Sequence, residues 1–480
     1  VKRRSSKLGE FMRSIAWAFP FFFVVTNGIR GVIGGKFNKV VLVVVGMSMK
    51  SVLGEELEAI SLSRGEVLEL EKVAKSFIAS LKKVGVKAFV GGSLAKGTLV
   101  RKEKQDVDIF VVFDYGEDVV RLEKILGKIK LPGRLKKVHG SRDYFQIDCS
   151  DVLLEVIPVV KNRDPELAEN VTDVSLSHVK FVVGEIVRAS QVPSSRAKNL
   201  SLADEIKLAK AFCRAQRCYG AEGYVKGFSG YSLEILVIYF GSFLKFLKGV
   251  QKFHGVSGCR GVGVSDDLGN GQIVLDPLKY FRSEREVLSE LNASKLNGPL
   301  VLVDPTYRYR NVSAGLGKET FEKFLKVASA FLKSPSLDFF ELKDVDVSEL
   351  KKMKGRFVEV GLSTDRQEGD IAGTKMRKLF DFFVRELERK GQKVLKKEFD
   401  YSGSGKKARG YIVVEEVREV LVRGPSIGLG DSVVGFRKVH KDAFKKGKFW
   451  WVRKEVSVEK VFDLVKKVMG EMGAGIAIRG

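Results

Sequence analysis

Residues 89–113, FVGGSLAKGTLVRKEKQDVDIFVVF, constrain the chain more than any other stretch. Alternate side chains of a strand point to the same face, so Asp106 and Asp108 aim together while Val107, Ile109 and Val111 face a core. Two carboxylates held that close call for a cation. Mg²⁺ suits the task, because it prefers oxygen ligands and shares them with substrate phosphates. Upstream, Gly91-Gly92-Ser93 can offer backbone N–H groups and a hydroxyl to a phosphate, since glycine lets the chain approach closely. A glycine turn or an Asp-x-Asp pair alone says little, but the turn followed by the pair on a strand start is far more specific. The competing reading is a surface turn next to an acidic strand end.

A two-metal site needs a third carboxylate from a neighbouring strand. SDVLLEVIPVV offers Glu155, flanked by apolar residues and followed by Pro158. An acid inside an apolar strand is costly unless a charge or donor meets it. Asp148 and Asp151 are rival candidates, and a strand-edge glutamate facing water is the plain alternative.

A polyanionic partner follows from charge. Lys and Arg number 84 against 59 Asp and Glu, a formal net charge of +25, and nucleic acid is the first polyanion to consider. The 44% hydrophobic content allows a sizeable core and excludes a disordered tail protein. At 480 residues the chain has room for roughly three or four domains. Cys149, Cys213, Cys218 and Cys259 form no CxxC pair, and the histidines are scattered, so no Cys/His metal cluster is expected. The beginning differs from the rest: KRRSSK precedes the apolar run SIAWAFPFFFVV, which is too short to span a bilayer. It mimics a signal peptide without a small-residue cleavage site, and Met47 and Met49 stand where a start could be. Residues 1–48 are expected to be a non-native or disordered extension.

Periodicity predicts an amphipathic helix over 64–84, with Val67, Leu70, Ala74, Phe77, Ile78 and Leu81 on one face and Gly85 as its stop. Strands are expected at 87–90, 107–113 and 152–157. Helices are expected at 202–216 and 320–333, and over the nearly all-apolar 231–247. From 339 onward, basic helices alternate with strands, an α+β module.

The pattern GGS…DVD, then EVIP, YGAEGYVKGFSGYSLEILVIYFGSF and DPTYRYRNVSAGL, resembles the archaeal class of CCA-adding enzymes, tRNA nucleotidyltransferases of the polymerase β superfamily. The resemblance implies an α+β multidomain chain. It divides into a nucleotidyltransferase head (49–165), a helical central domain (166–338), and an α+β body with an RNA-binding tail (339–480). It implies that Asp106, Asp108 and Glu155 bind the metals and act catalytically, although the family pattern has aspartate where Glu155 stands. The extra methylene moves the carboxylate by about 1.5 Å. The resemblance further implies that Gly92, Ser93, Lys96, His178, Lys210 and Tyr219 line the triphosphate and that Arg310 reads the base. Arg308 is an adjacent rival, and Tyr219 could simply cap a core. Gly227, Phe228, Ser229, Gly230 and Tyr231 are expected at the RNA end. In the basic, aromatic stretch 436–455, Trp450 and Trp451 can stack on a base or ribose, or one of them can enter the core.

The reaction implied is template-independent addition of CCA to tRNA from CTP and ATP with Mg²⁺. A homodimer in the cytoplasm without stable membrane association is implied too. The alternatives are a poly(A)-type terminal nucleotidyltransferase and a non-catalytic tRNA-binding protein.

Overall fold

The computed structural model describes residues 48–115, 120–140, 142–161, 164–168, 170–191, 200–252, 272–365, 367–415, 417–470 and 474–479. The expected N-terminal extension lies outside the described residues except for Ser48. The Ser48 side chain caps the first helix, α1 (Met49–Ile60), by accepting the Ser51 amide at 3.1 Å.

The head begins with α2 (Arg64–Lys83), on the periodicity expected. Its start is fixed by a reciprocal cap: Ser63 Oγ accepts the Glu66 amide at 3.3 Å and Glu66 Oε2 accepts the Ser63 amide at 2.7 Å. Leu70, Ala74, Phe77 and Leu81 are buried, and Gly85, at φ +79°, ends the helix. Then come β1 (Lys87–Val90), the one-turn α3 (Gly92–Lys96), β2 (Gln105–Phe113), α4 (Leu122–Leu126), β3 (Arg134–Val138), β4 (Tyr144–Cys149) and β5 (Val152–Val160). The strands form one sheet in the order β1-β2-β5-β4-β3, with β2 and β5 parallel and the other pairs antiparallel. The apolar face of β2 packs Val107, Ile109 and Val111 against Phe77 and Leu81 of α2, leaving the opposite face to the carboxylates.

The central unit contains α5 (Ser175–Gln191), α6 (Leu202–Ala215), α7 (Gly230–Phe240), α8 (Phe243–Gln251), β6 (Ile273–Leu275), α9 (Glu284–Glu290), β7 (Leu300–Asp304), β8 (Tyr307–Asn311) and α10 (Lys318–Lys333). Phe212 lies at the centre of its core, in ring contact with Phe243, Phe324, Phe331, Phe339 and Phe340. Two sequence expectations change here. The apolar stretch 231–247 is two helices, because Gly241 takes φ +82° and Ser242 starts α8 by accepting the Lys245 amide at 3.2 Å. Helix α1, placed in the head by sequence, instead buries Val52 and Leu53 in the central core with Phe212 and Leu208.

The rest comprises α11 (Val347–Lys352), β9 (Arg356–Thr364), α12 (Gly369–Arg389), β10 (Lys393–Asp400), β11 (Lys407–Glu415), β12 (Glu419–Ser426), α13 (Gly430–Val439), β13 (Phe444–Lys446), β14 (Phe449–Glu455), α14 (Val458–Gly470) and β15 (Ala474–Arg479). The body sheet runs β10-β11-β9-β15 and is covered by α12 through Met376, Phe380 and Phe383. The tail is the small antiparallel sheet β12-β14-β13. Among the described residues, no helix is long and apolar enough to cross a membrane.

Glu56 of α1 is buried, and burial followed by the nearby Glu341 pushes its pKa up to about 7. The folded state therefore favours the protonated acid. Its contribution is intact below the unfolded pKa and is lost as pH rises through about 7. Glu56→Gln should gain about 2 kcal/mol over the parent at pH 8 and almost nothing at pH 4.5. Melting temperatures of the two proteins at both pH values check this, and an equal difference at both would contradict it.

Candidate active site

The glycine turn and the carboxylates meet as closely as covalent geometry allows. Gly92 has φ +55°, and a Cβ there would lie 1.6 Å from Oδ2 of Asp108. A Cβ on Gly91 would lie 2.0 Å from the Phe110 ring, and the Gly91 amide donates to the Asp108 carbonyl at 2.8 Å. Both glycines are thus required by the approach of the turn to β2. Ser93 follows in α3, half-buried.

Across the parallel β2–β5 pair, Asp108 stands opposite Glu155 and Asp106 opposite Leu153. The antiparallel β4–β5 register puts Gln146 on the other side of Glu155, and its Nε2 donates to Glu155 Oε1 at 2.9 Å. Burial, then the charge of Asp106, raises the pKa of Asp108, with Lys96, Lys102 and Lys210 opposing. Burial, then Asp108, raises Glu155 to about 7. Asp106 is ion-paired with Lys102. Tyr144 belongs to the same neighbourhood, since its hydroxyl is pushed up by burial and then by Glu155, Asp370, Asp106 and Asp108. The rivals of Glu155 fall away: Asp148 is exposed and ion-paired with Lys104, and Asp151 is exposed in the turn between β4 and β5.

As these side chains lie, no three His, Cys, Asp or Glu residues converge on one point among the described residues. Asp106 is turned to Lys102 and Glu155 to Gln146. The donor chemistry nonetheless fits a hard divalent cation. Three carboxylates stand on neighbouring positions of two strands, and two of them are held above their ordinary pKa by burial and by the charge of a neighbouring aspartate.

A second group ties head to central unit. Glu234 of α7 is almost wholly buried in a helix that is otherwise apolar. Its carboxylate accepts from Lys96 at 2.7 Å, Lys210 at 2.7 Å and Thr98 at 3.1 Å, and Lys210 also donates to Thr98 Oγ1 at 2.9 Å. Burial alone would raise its pKa, but the two ammonium groups outweigh this and hold it at about 2. Tyr219 closes the group, because a Cβ on Gly230 would come within 2.8 Å of its hydroxyl.

A third group lies on the far side of Tyr231. Asp304, fully buried at the end of β7, accepts from Arg310 NH1 at 2.8 Å, the Tyr231 hydroxyl at 3.0 Å, and the Thr306 amide and hydroxyl at 2.8 Å each. His178 Nε2 sits 3.2 Å from Asp304 and 3.1 Å from Arg310 NH1, and its ring stacks on Tyr231 at 3.9 Å. Burial lowers the His178 pKa despite the aspartate. Lys96 Nζ lies 5.2 Å above the Tyr231 ring, linking this group to the second. Arg308, the rival of Arg310, points elsewhere and pairs with Glu166.

The structure therefore brings together Asp106, Asp108, Glu155, Gly92, Ser93 and Lys96, and beside them Lys210, Tyr219, Tyr231, His178 and Arg310. Sequence reasoning missed Glu234, Asp304, Gln146 and Tyr144. A lone acid in the apolar YSLEILVIYF was the visible signal for Glu234, whereas Gln146 and Tyr144 needed the strand register. Two RNA-contact expectations are corrected. Phe228 is buried against Phe246, Phe321 and Phe324, so its ring cannot meet a nucleotide. Trp450 is buried beneath Arg437 and Lys445, whereas Trp451 is half-buried and donates to the Lys446 carbonyl at 3.0 Å. Gly227 permits contact with the Cys218 carbonyl, and Ser229 caps α7 by accepting the Ser232 amide at 3.0 Å.

Removing Glu234 leaves two buried ammonium groups without a counter-charge. Glu234→Ala should cost about 3–5 kcal/mol in chemical denaturation, and Glu234→Gln less. A loss near zero for the alanine variant would show that the lysines escape to water.

Two family models match the chain: "Nucleotidyltransferase domain" over residues 70–141 and "tRNA nucleotidyltransferase, second domain" over residues 204–341. The first spans the turn, Asp106 and Asp108; the second spans Lys210, Tyr219, Glu234, Asp304 and Arg310. The CCA-adding enzyme of Nanoarchaeum equitans is 31% identical over 318 residues, 65% of this chain and 70% of that one. The CCA-adding enzyme of Thermococcus gammatolerans is 27% identical over 459 residues, 90% of this chain and 92% of that one. That of Methanocaldococcus jannaschii is 26% identical over 349 residues, 69% and 71% of the two chains. With a nucleotidyltransferase head in front of a tRNA nucleotidyltransferase second domain, the chain belongs to the family of CCA-adding enzymes.

Proposed function

We propose that this protein adds C, C and A in turn to the 3′ end of tRNA, taking them from CTP and ATP without a template. The observation that carries the reading is the contact of the Gly92 turn with Asp108, which is itself paired across the sheet with Glu155. A phosphate seated on that turn lies beside carboxylates that need a cation, and a nucleoside triphosphate with Mg²⁺ supplies both groups at once.

The terminal 3′-hydroxyl oxygen forms a bond to the α-phosphorus, the α–β bridging bond breaks, and pyrophosphate leaves with its electron pair. The chemistry that Mg²⁺ supplies when held by Asp106, Asp108 and Glu155 is acidification of that hydroxyl and neutralisation of phosphate charge. The protein's own residues do the rest by position and charge. The backbone at Gly92 and the Ser93 hydroxyl hold the phosphate tail, and Lys96 and Lys210, kept in place by Glu234, add positive charge beside it. Arg310 is fixed through NH1 by Asp304, which leaves the rest of its planar fork for two acceptors of a base. Tyr231 and His178 form the stacked wall against that fork.

The body and tail take the folded part of tRNA. The β10–β11 hairpin carries Lys393, Lys396, Lys397, Lys406 and Lys407, and the tail sheet carries Arg423, Lys445, Lys446, Arg453 and Lys454. Such a surface recognises helical RNA by shape and backbone. On the same proposal the protein acts as a homodimer in the cytoplasm, where the tRNA substrate resides.

The test is incorporation of labelled CTP into tRNA lacking its CCA, in Mg²⁺. Two CMP and one AMP, then arrest, is the expected product. ATP addition without CTP and without arrest would favour a poly(A)-type enzyme, and tight tRNA binding without incorporation a binding protein. Asp108→Ala should reduce incorporation by at least ~1,000-fold while tRNA affinity changes less than ~3-fold. Affinity for tRNA should fall at least ~10-fold between 50 and 200 mM KCl in a filter-binding titration, and a flat response would contradict phosphate-backbone recognition.

A further inference from the structure

Glu155 is one methylene longer than the aspartate expected at its position, so its carboxylate has an extra torsion through which to stray. The strand register supplies what restrains it. Asp108, Glu155 and Gln146 form one row across β2, β5 and β4, each a direct cross-strand neighbour of the next, with neighbouring strands about 4.8 Å apart. The Gln146 amide donates to Oε1 of Glu155 at 2.9 Å, and among the described residues Oε2 has no protein donor.

We propose that Gln146 is a positioning residue for Glu155, holding one carboxylate oxygen so that the other is left to take a divalent cation beside Asp108. The inference rests on the reading of Glu155 as the third catalytic carboxylate.

The chemistry of the donor matters. Asp106 is held by the ammonium of Lys102, a cation that an incoming metal must displace. Glu155 is held by a neutral amide, which fixes the side chain without neutralising its charge and need not leave when an ion arrives. A lysine at position 146 would satisfy the carboxylate equally well and compete with the metal. The neighbour Asp148, two residues along the same strand, shows that outcome: Lys104 occupies it. Glutamine thus does for the longer glutamate what backbone rigidity does for an aspartate. Outer partners that orient a metal's ligands commonly matter by 10- to 100-fold in affinity or rate.

The test uses the full chain and Mn²⁺ as the probe, titrated without nucleotide and followed by electron paramagnetic resonance. Gln146→Leu and Gln146→Met, the second closer in shape should the first fold poorly, are each expected to weaken Mn²⁺ binding about 10-fold. The same substitutions are expected to lower kcat for CMP addition by a similar factor, with KM for tRNA unchanged. In a Glu155→Ala background, Gln146→Met should add no further loss of Mn²⁺ affinity. Mn²⁺ affinities within twofold of the parent for both single variants would overturn the inference. So would an equal loss in the Glu155→Ala background, or a parent protein that binds no Mn²⁺. A parent that binds Mn²⁺ but incorporates no CMP would instead sink the proposed reaction and leave the role of Gln146 standing.

Discussion

An absent side chain sets the geometry at the centre of this protein. Any atom attached to the α-carbon of Gly92 would occupy the space of the Asp108 carboxylate. The turn can reach β2 only as glycine, and at φ +55° only glycine holds the conformation without strain. The backbone of the turn and the carboxylate of Asp108 are consequently neighbours by construction. The parallel β2–β5 register then carries the constraint sideways, because Glu155 can face Asp108 only if those two strands pair as they do. A slip of one residue would turn Glu155 toward the apolar core under α2.

Charge is arranged around that contact in layers. Raised carboxylate pKa values at Asp108 and Glu155 mark a site with too much negative charge for its burial. Lys96 and Lys210 stand beside it with one buried carboxylate, Glu234, between them, an arrangement that carries a net positive charge toward the acids. Because Lys96 belongs to the head, and Lys210 and Glu234 to the central unit, the same ion pairs fix the two units against each other. Through Tyr231 the lysine group abuts Asp304, which organises His178 and Arg310. The three groups thus form a continuous chain of contacts from the carboxylates to the arginine.

Much of this was legible in the sequence, and the exceptions are instructive. Residues whose role follows from local geometry were readable: the α2 face, the β2 face and the turn all obey short-range periodicity. Lys210 stands out in the sequence because its helical neighbours Leu208, Ala209 and Phe212 are apolar. Residues whose role follows from register or tertiary contact were not. Gln146 becomes meaningful only when β4 lies beside β5, and α1 reveals its allegiance only when Val52 meets the phenylalanine core. Phe228 misleads because a glycine-rich motif suggests exposure, whereas its glycines exist to let backbones touch while the phenylalanine fills the core. In the pair Trp450–Trp451, strand alternation requires opposite faces, and only the fold could say which ring is buried.

The turn at Gly92 and the carboxylate of Asp108 meet as one site. Single-turnover CMP addition by Gly92→Ala, measured beside its tRNA affinity and melting temperature, tests this most directly. The added methyl group must push Asp108 aside. Binding of tRNA should survive within ~3-fold while the rate falls at least ~100-fold. A folded Gly92→Ala protein that adds CMP at the parental rate would contradict it.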